Sequence, residues 1–277
     1  MHKTSAGYKI AKVTVLTVFL VLIVFPFYWI LITSFKAPGE IYSTPVTFFP
    51  QTFSTVNYEN LFKSLDFGRY IANSIVVSLV ASTCSTAIAL CGAYVLARFN
   101  FRGKQAVIYF YLITQMLPSF IGLAPLYQML SAWKMINWLP TLMILSTTFL
   151  IPYSVITIRG FLLRVPRSLE ESAMIDGCGR LRAMFNIVFP LILPGISATF
   201  IFCFVQDWND LFSPVLYMNS QSNYTIPVAL NYMVQKNDIK WGELSAGAVI
   251  AIVPTVIMFA FAQKYVASGM LAGAIKE

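Results

Sequence analysis

The chain has 277 residues, 58% hydrophobic and only 11% charged, with a formal net charge of +8. A soluble globular domain carries about 25% charged residues, so this chain cannot dress a water-facing surface. Its mean hydropathy of +0.72 points to a polytopic membrane protein, and the positive charge comes without the basic-aromatic patch that nucleic-acid binding would need.

A hydrocarbon core of about 30 Å takes roughly 20 apolar helical residues. Six runs qualify, at about 12–34, 70–97, 105–130, 139–158, 187–206 and 244–263. They are too long and continuous for barrel strands. Backbone polar groups in lipid must be satisfied internally, so the expectation is an all-α integral membrane protein with six transmembrane helices. The first run has a basic start, as a signal peptide does. It continues through "VFPFYWILITSF" with no small-residue cleavage site and is read as an uncleaved span. The third run contains Pro118 and Pro125 and is expected to bend.

Orientation follows from the loops. Of the 19 Lys and Arg residues, 13 fall on the side holding both termini and the 98–104 and 159–182 segments. The richer side is read as cytoplasmic, which puts both termini inside. The cysteines at 84, 91, 178 and 203 suggest no bridge and read as small apolar residues. The one histidine, His2, lies near the start of the chain, so no metal site is expected. No nucleophile, acid-base pair or metal set clusters as an enzyme would require, so no catalytic residue is proposed. The aromatic Trp133, Trp138 and Trp241 read as interfacial anchors.

Two absences narrow the function. The apolar runs hold essentially no Asp, Glu, Lys, Arg or His, which counts against proton-coupled carriers and less strongly against sodium-coupled ones. There is also no G-x-x-x-x-G-K-[ST] loop, so the chain cannot cradle ATP that way. Uphill transport would then draw its energy from contact with another protein on the cytoplasmic side. An ion-coupled secondary carrier or a channel is the alternative.

The polar segment at about 164–190, "RVPRSLEESAMIDGCGRLRAMFNIVFP", is where such contact can occur. Ser168 and Glu171 have capping-box spacing, with Ser168 as N-cap. Leu169, Ser172, Ala173 and Asp176 fall on one helical face, two of them small enough for close approach. Gly177 and Gly179 are expected to end the helix by adopting positive φ. A basic amphipathic stretch then leads to Pro190 and Pro194. The prediction is a helix-turn-helix loop between the fourth and fifth spans.

These residues resemble a known signature. Bacterial ABC importer permeases share E-A-A, three residues, G, nine residues, I-x-L-P in this loop. The chain has Glu171-Ser172-Ala173, three residues, Gly177, nine residues and Ile187-Val188-Phe189-Pro190. Ser172 and Phe189 are mild departures. The carbohydrate-uptake branch, in particular the maltose-permease inner-subunit type, is similar at further segments: "PFYWILITSFK" (26–36), "FGRYIANSIVVS" (67–78), "AYVLARFNFRGK" (93–104), "DWNDLFSPV" (207–215) and "SGMLAGAIK" (268–276). The resemblance implies a single transmembrane permease domain over 1–277, with its core at about 70–263. It implies pairing with a second permease subunit, two ATPase subunits that bind ATP and Mg, and an extracellular sugar-binding protein. The chain itself would hold no cofactor. Carried over by position, Glu171, Ala173 and Gly177 dock the ATPase, with Ser172, Asp176 and Arg180 as neighbours and Lys276 as a further contact. Trp208, Asn209 and Asp210 are candidates for the translocation path or an outer-loop clamp, since an indole face and carboxylates suit sugars. The implied function is uptake of a sugar, most simply an oligosaccharide, across the bacterial inner membrane.

Overall fold

The computed structural model describes residues 6–235 and 238–274, with side chains placed for all of these except 6, 119, 120 and 264–274. His2 and Lys276 lie outside the described residues. Among the described residues there is no β-strand. Contacts divide the chain into two compact units, residues 1–67 with 229–253 and residues 68–228 with 254–277.

In the first unit, α1 (Ala6–Ser34) is apolar on every side. Only 6% of its most apolar window is buried, against 39% for α4 (Phe67–Arg98). A helix hydrophobic all round and still uncovered belongs in lipid. After α1 come the short α2 (Pro38–Ile41) and α3 (Val56–Ser64). The Asn57 side-chain amide donates to the carbonyls of Ser34 at 3.0 Å and Lys36 at 2.7 Å, satisfying groups that the end of α1 leaves open. Lys36 is buried, its ammonium 4.8 Å from the Trp29 ring centroid and donating to the Thr47 carbonyl. Glu40 gathers the following loop by accepting from the Thr47 hydroxyl at 2.7 Å and the Gln51 amide at 2.9 Å. The Thr47 hydrogen bond, with the Gln51 amide second, holds its carboxyl below the usual range. The connection between α1 and α4 is therefore a hydrogen-bonded, partly helical layer. Gly242, near the start of α14 (Trp241–Ala274), approaches Asn57 so closely that a Cβ would lie 2.3 Å from Oδ1.

The second unit is built around α7 (Leu139–Leu162), which packs against α5 (Lys104–Met116) and α11 (Leu193–Trp208). Its interior joins Ala89, Ala93 and Ala97 of α4 to Val155, Ile158 and Leu162 of α7. Alanines four residues apart share one helix face and let two backbones come close, as membrane helices do where lipid gives no hydrophobic drive. Gly195 of α11 does the same opposite Phe161, whose ring atoms would lie 2.4 Å from an added Cβ. Toward the other end, Val77, Leu130, Leu142, Tyr217 and Met218 form a second apolar cluster. It joins α6 (Leu123–Ala132) to α12 (Phe212–Tyr217) and the segment leading to α13 (Ile226–Val234).

Among the described residues, four helices are long and apolar enough to cross a membrane, or five if the bent pair Arg180–Leu191 and Leu193–Trp208 is one span. The third expected span, 105–130, is not one helix. It stops at Met116, passes through extended Leu117 and a 3₁₀ turn (Ser119–Gly122), and restarts at Leu123. The cause is Pro118, which forces the preceding residue out of the helical region. Pro125 breaks nothing, because it sits in the first turn of α6, where no N–H is needed. The fifth expected span, 187–206, is also interrupted. α9 (Arg180–Ala183), a π turn (Met184–Val188) and α10 (Phe189–Leu191) meet α11 at 75°. Ile192 leaves the helix just before Pro194, whose ring would clash with the carbonyl four residues back.

The two glycine contacts give a direct check. Gly195→Ala and Gly242→Ala are each expected to cost about 1–3 kcal/mol through overpacking. Gly39→Ala, with nothing within 4 Å of its Cβ, should be close to neutral. Thermal unfolding of the detergent-purified variants measures this, and equal melting points for all three would contradict both close approaches.

Candidate functional site: an anchored helix with an open face

The signature segment forms α8 (Ser168–Ile175), a turn, and α9. The expected capping box is not formed. Arg167, not Ser168, is the N-cap, and the Arg167 carbonyl accepts from the amides of Glu170 at 3.0 Å and Glu171 at 3.1 Å. No side chain caps this end. The frame is set from outside the helix. The Arg167 guanidinium donates to the Ala97 carbonyl at 3.1 Å, and Glu170 is drawn to α4.

Glu170 is the residue the sequence reading passed over. It is buried, accepts from the Tyr94 hydroxyl at 2.7 Å and forms an ion pair with Arg98 Nε. Arg98 also donates to the Val165 carbonyl at 3.1 Å. Arg159 donates to the Leu96 carbonyl at 3.4 Å. The last carbonyls of α4 are thus served by guanidinium groups from α7 and its continuation. Two adjacent glutamates on a helix lie about 100° apart, so they cannot do the same work. That spacing was the available signal.

With Glu170 turned inward, Glu171, Ser172, Asp176 and Gly177 are exposed and Ala173 is half-buried. Leu169, Ile175 and Leu181 are exposed beside them, Ile175 at 85%. An acidic patch with uncovered aliphatic side chains on a pinned helix is a surface suited to a protein partner. The turn that closes α8 is fully hydrogen-bonded. Gly177 has φ +85°, its amide donates to the Met174 carbonyl at 3.2 Å, and the Cys178 amide donates to the Ala173 carbonyl at 2.9 Å. This is the paired pattern that needs a left-handed residue after the cap. Gly179 differs from expectation. It is extended at φ −65° and serves as N-cap of α9. Arg180 is exposed, its guanidinium 4.9 Å from the Phe99 ring centroid. Nothing in the structure explains cysteine at 178.

The residues suggested for a translocation path are placed differently from one another. Trp208 is buried at 2% exposure and stacks on Phe204. Asn209 is exposed and its side chain donates to the Val205 carbonyl at 2.7 Å, closing its own helix. Asp210 accepts from the Phe212 amide at 3.1 Å at the start of α12. The neighbouring Asp207, which opens the same polar motif, turns into the second unit beside Ser78 and Ser146. A separate groove of about 490 Å³ opens on that unit, mostly apolar, with Thr83, Thr86 and Ser197 among its lining residues.

Removing Arg98 while leaving Glu170 buried is expected to cost about 3–5 kcal/mol. Arg98→Ala should therefore speed hydrogen exchange across 168–176. Arg98→Met with Glu170→Gln should recover most of the protection. Slow exchange in Arg98→Ala would show that the pair does not hold α8. At the turn, Gly177→Ala is expected to cost about 1–2 kcal/mol by forcing a Cβ into the left-handed region, and Gly179→Ala close to nothing. Exchange protection of the Cys178 amide distinguishes the two.

Against known proteins, the model of the family described as "Binding-protein-dependent transport system inner membrane component" matches residues 88–271. The chain is 33% identical over 277 residues to the diacetylchitobiose uptake system permease protein DasC of Streptomyces coelicolor, covering 100% of both chains. It is 32% identical over 263 residues to the inner membrane ABC transporter permease protein YcjP of Escherichia coli, covering 94% of each. Among solved structures, a chain of a bacterial ABC transporter that imports the acidic polysaccharide alginate superposes with a TM-score of 0.85. The identity is 18%, over 96% of this chain and 99% of that one.

Proposed function

From the premise that the chain belongs to the family of binding-protein-dependent transport system inner membrane components, we propose that it forms half of a sugar pore driven through α8 by a partner ATPase. It is a membrane-embedded permease subunit of an ABC importer and not an enzyme.

The observation that carries the docking reading is the division of labour between Glu170 and Glu171. Glu170 is consumed by the ion pair that holds α8 to α4, and Glu171 is left exposed on the same helix with Ser172, followed by exposed Asp176 and Gly177 in the turn that closes it. Force applied to the open face passes to α4 through a buried, hydrogen-bonded contact rather than through a loose loop. In this reading two ATPase subunits bind ATP and Mg, and one of them takes this helix. A second, similar permease subunit takes the other. Arg180 flanks the dock.

In this reading there are six spans, one more than the five that helix length and composition support. Residues 104–132 cross as two pieces joined at Pro118, and α10 with α11 cross as a bent pair. The excess of Lys and Arg then puts α8 and both termini in the cytoplasm. An extracellular binding protein delivers the substrate to the opposite face. Oligosaccharide is the favoured substrate class. DasC is named for diacetylchitobiose uptake, and the apolar runs of the sequence hold essentially no cationic side chain that would attract an anionic sugar. Trp208 is too deeply covered to meet a sugar without movement. Asn209 and Asp210 lie at the surface or near it, and the groove beside Thr83, Thr86 and Ser197 is the more open route.

The test is affinity purification of the tagged chain from its native membrane in mild detergent. An ATPase and a second permease are expected to co-purify. Glu171→Lys should lose the ATPase by tenfold or more while keeping the second permease, whereas Gly39→Ala, in the first unit with nothing within 4 Å of its Cβ, should keep both. A wild-type chain that emerges alone, or with itself only, would overturn the ATPase-driven reading.

A further inference from the structure

Where α4, α7 and α11 come together in the second unit, a small cavity of about 10 Å³ lies against Ser74, Ser78, Ser146, Asp207 and Thr225. It is far too small for a sugar ring and sits at the lower limit for one water molecule. Val77, Leu142, Trp208 and Pro214 complete the lining, so the five oxygen-bearing side chains meet inside an otherwise apolar wall. Ser74, Ser78 and Thr225 are each at least 95% buried. The Ser74 hydroxyl accepts from the Ile226 amide at 2.8 Å, fixing that wall.

Two oxygens are left over. Asp207 Oδ2 and Thr225 Oγ1 are buried with no hydrogen-bond partner. The hydroxyls of Ser78 and Ser146 hydrogen-bond to the Asp207 carboxylate, yet they bring no positive charge. No Lys, Arg or His lines the cavity. The other charge acting on Asp207 is Asp210, which has the same sign. A buried carboxylate without a counter-charge costs several kcal/mol, and native proteins rarely leave two buried oxygens idle in one place.

We propose that this cavity is a binding site for one monovalent cation, sodium by size and ligand type, held by the Asp207 carboxylate, the Thr225 hydroxyl and the serine hydroxyls around them. Hard oxygen donors suit a hard cation. One carboxylate balances one positive charge, and among the described residues no three His, Cys, Asp or Glu side chains gather as a divalent site would favour. A bare sodium ion is smaller than a water molecule, which matches a cavity at the lower limit for water. The ion would tie α4, α7 and α11 to the segment before α13 at one point. It would act as a structural pin, independent of ATPase docking and of which sugar is carried.

The experiment is thermal unfolding of the full-length chain, purified in detergent at pH 7.5, in sodium, potassium and choline chloride at equal ionic strength. Sodium should raise the melting temperature saturably, above both other salts. That increment should vanish in Asp207→Asn and in Thr225→Val. If Asp207→Asn fails to fold, Thr225→Val and direct binding of ²²Na⁺ to the wild-type chain, expected at one per chain, carry the decision. Equal melting temperatures in the three salts would overturn the proposal, as would a sodium increment that survives in Asp207→Asn. A carboxyl neutralised by a proton instead would give the first of these results.

Discussion

The contact between Glu170 and Arg98 sets the arrangement of the signature segment. It is a buried ion pair, supported by the Tyr94 hydroxyl and by the Val165 carbonyl. Such a pair adds little net stability when compared with apolar packing, but it is costly to break by removing one partner. That asymmetry makes it a device for register. It fixes which residues of α8 face inward, and so fixes which face outward. The open positions Glu171, Ser172 and Asp176 are consequences of where Glu170 is held.

The same end of α4 shows how a membrane helix terminus is finished where water is scarce. The carbonyls of Leu96 and Ala97 accept from Arg159 and Arg167, side chains belonging to the next layer of structure. Guanidinium groups reach several acceptors at once and remain charged throughout. Basic residues that a charge count assigns to topology alone therefore also join α4 to α7 and α8. Close helix packing below this point rests on Ala89, Ala93 and Ala97, and on Gly195 beneath Phe161. A rigid helix pair below and a charged clamp above give α8 a firm base, which a partner that pushes on it requires.

Breaks in the helices follow local rules that the sequence did contain. Pro118 acts on Leu117, and Pro194 acts on Ile192 and the turn before it. These residues announce that a helix stops, but not how far the next one turns away. The 75° bend before α11 depends on the π turn at Met184–Val188 and on the buried Met184, Val188 and Phe189 that seat it. A π turn shifts the register by one residue. It is paid for by packing that no local pattern records.

Composition alone determined the all-helical, membrane-embedded character, because apolar runs of this length have no other stable form in lipid. Polarity and spacing located the segment at about 164–190 and the need for Gly177, since a left-handed position after a helix narrows the choice to glycine or nearly so, and the family resemblance picked out Glu171 to Pro190 within it. Tertiary structure decided the rest. The capping box suggested by Ser168 and Glu171 lost to Arg167 and Glu170, whose partners lie some 70 residues earlier on α4. Gly179 needed no special conformation once α9 began at the next residue. Asp207 looked like the edge of a polar motif and proved to face a cavity made by three helices. For α8 and for Asp207 the deciding partners are distant in the chain, and periodicity cannot say which of two neighbouring polar residues such a partner will take.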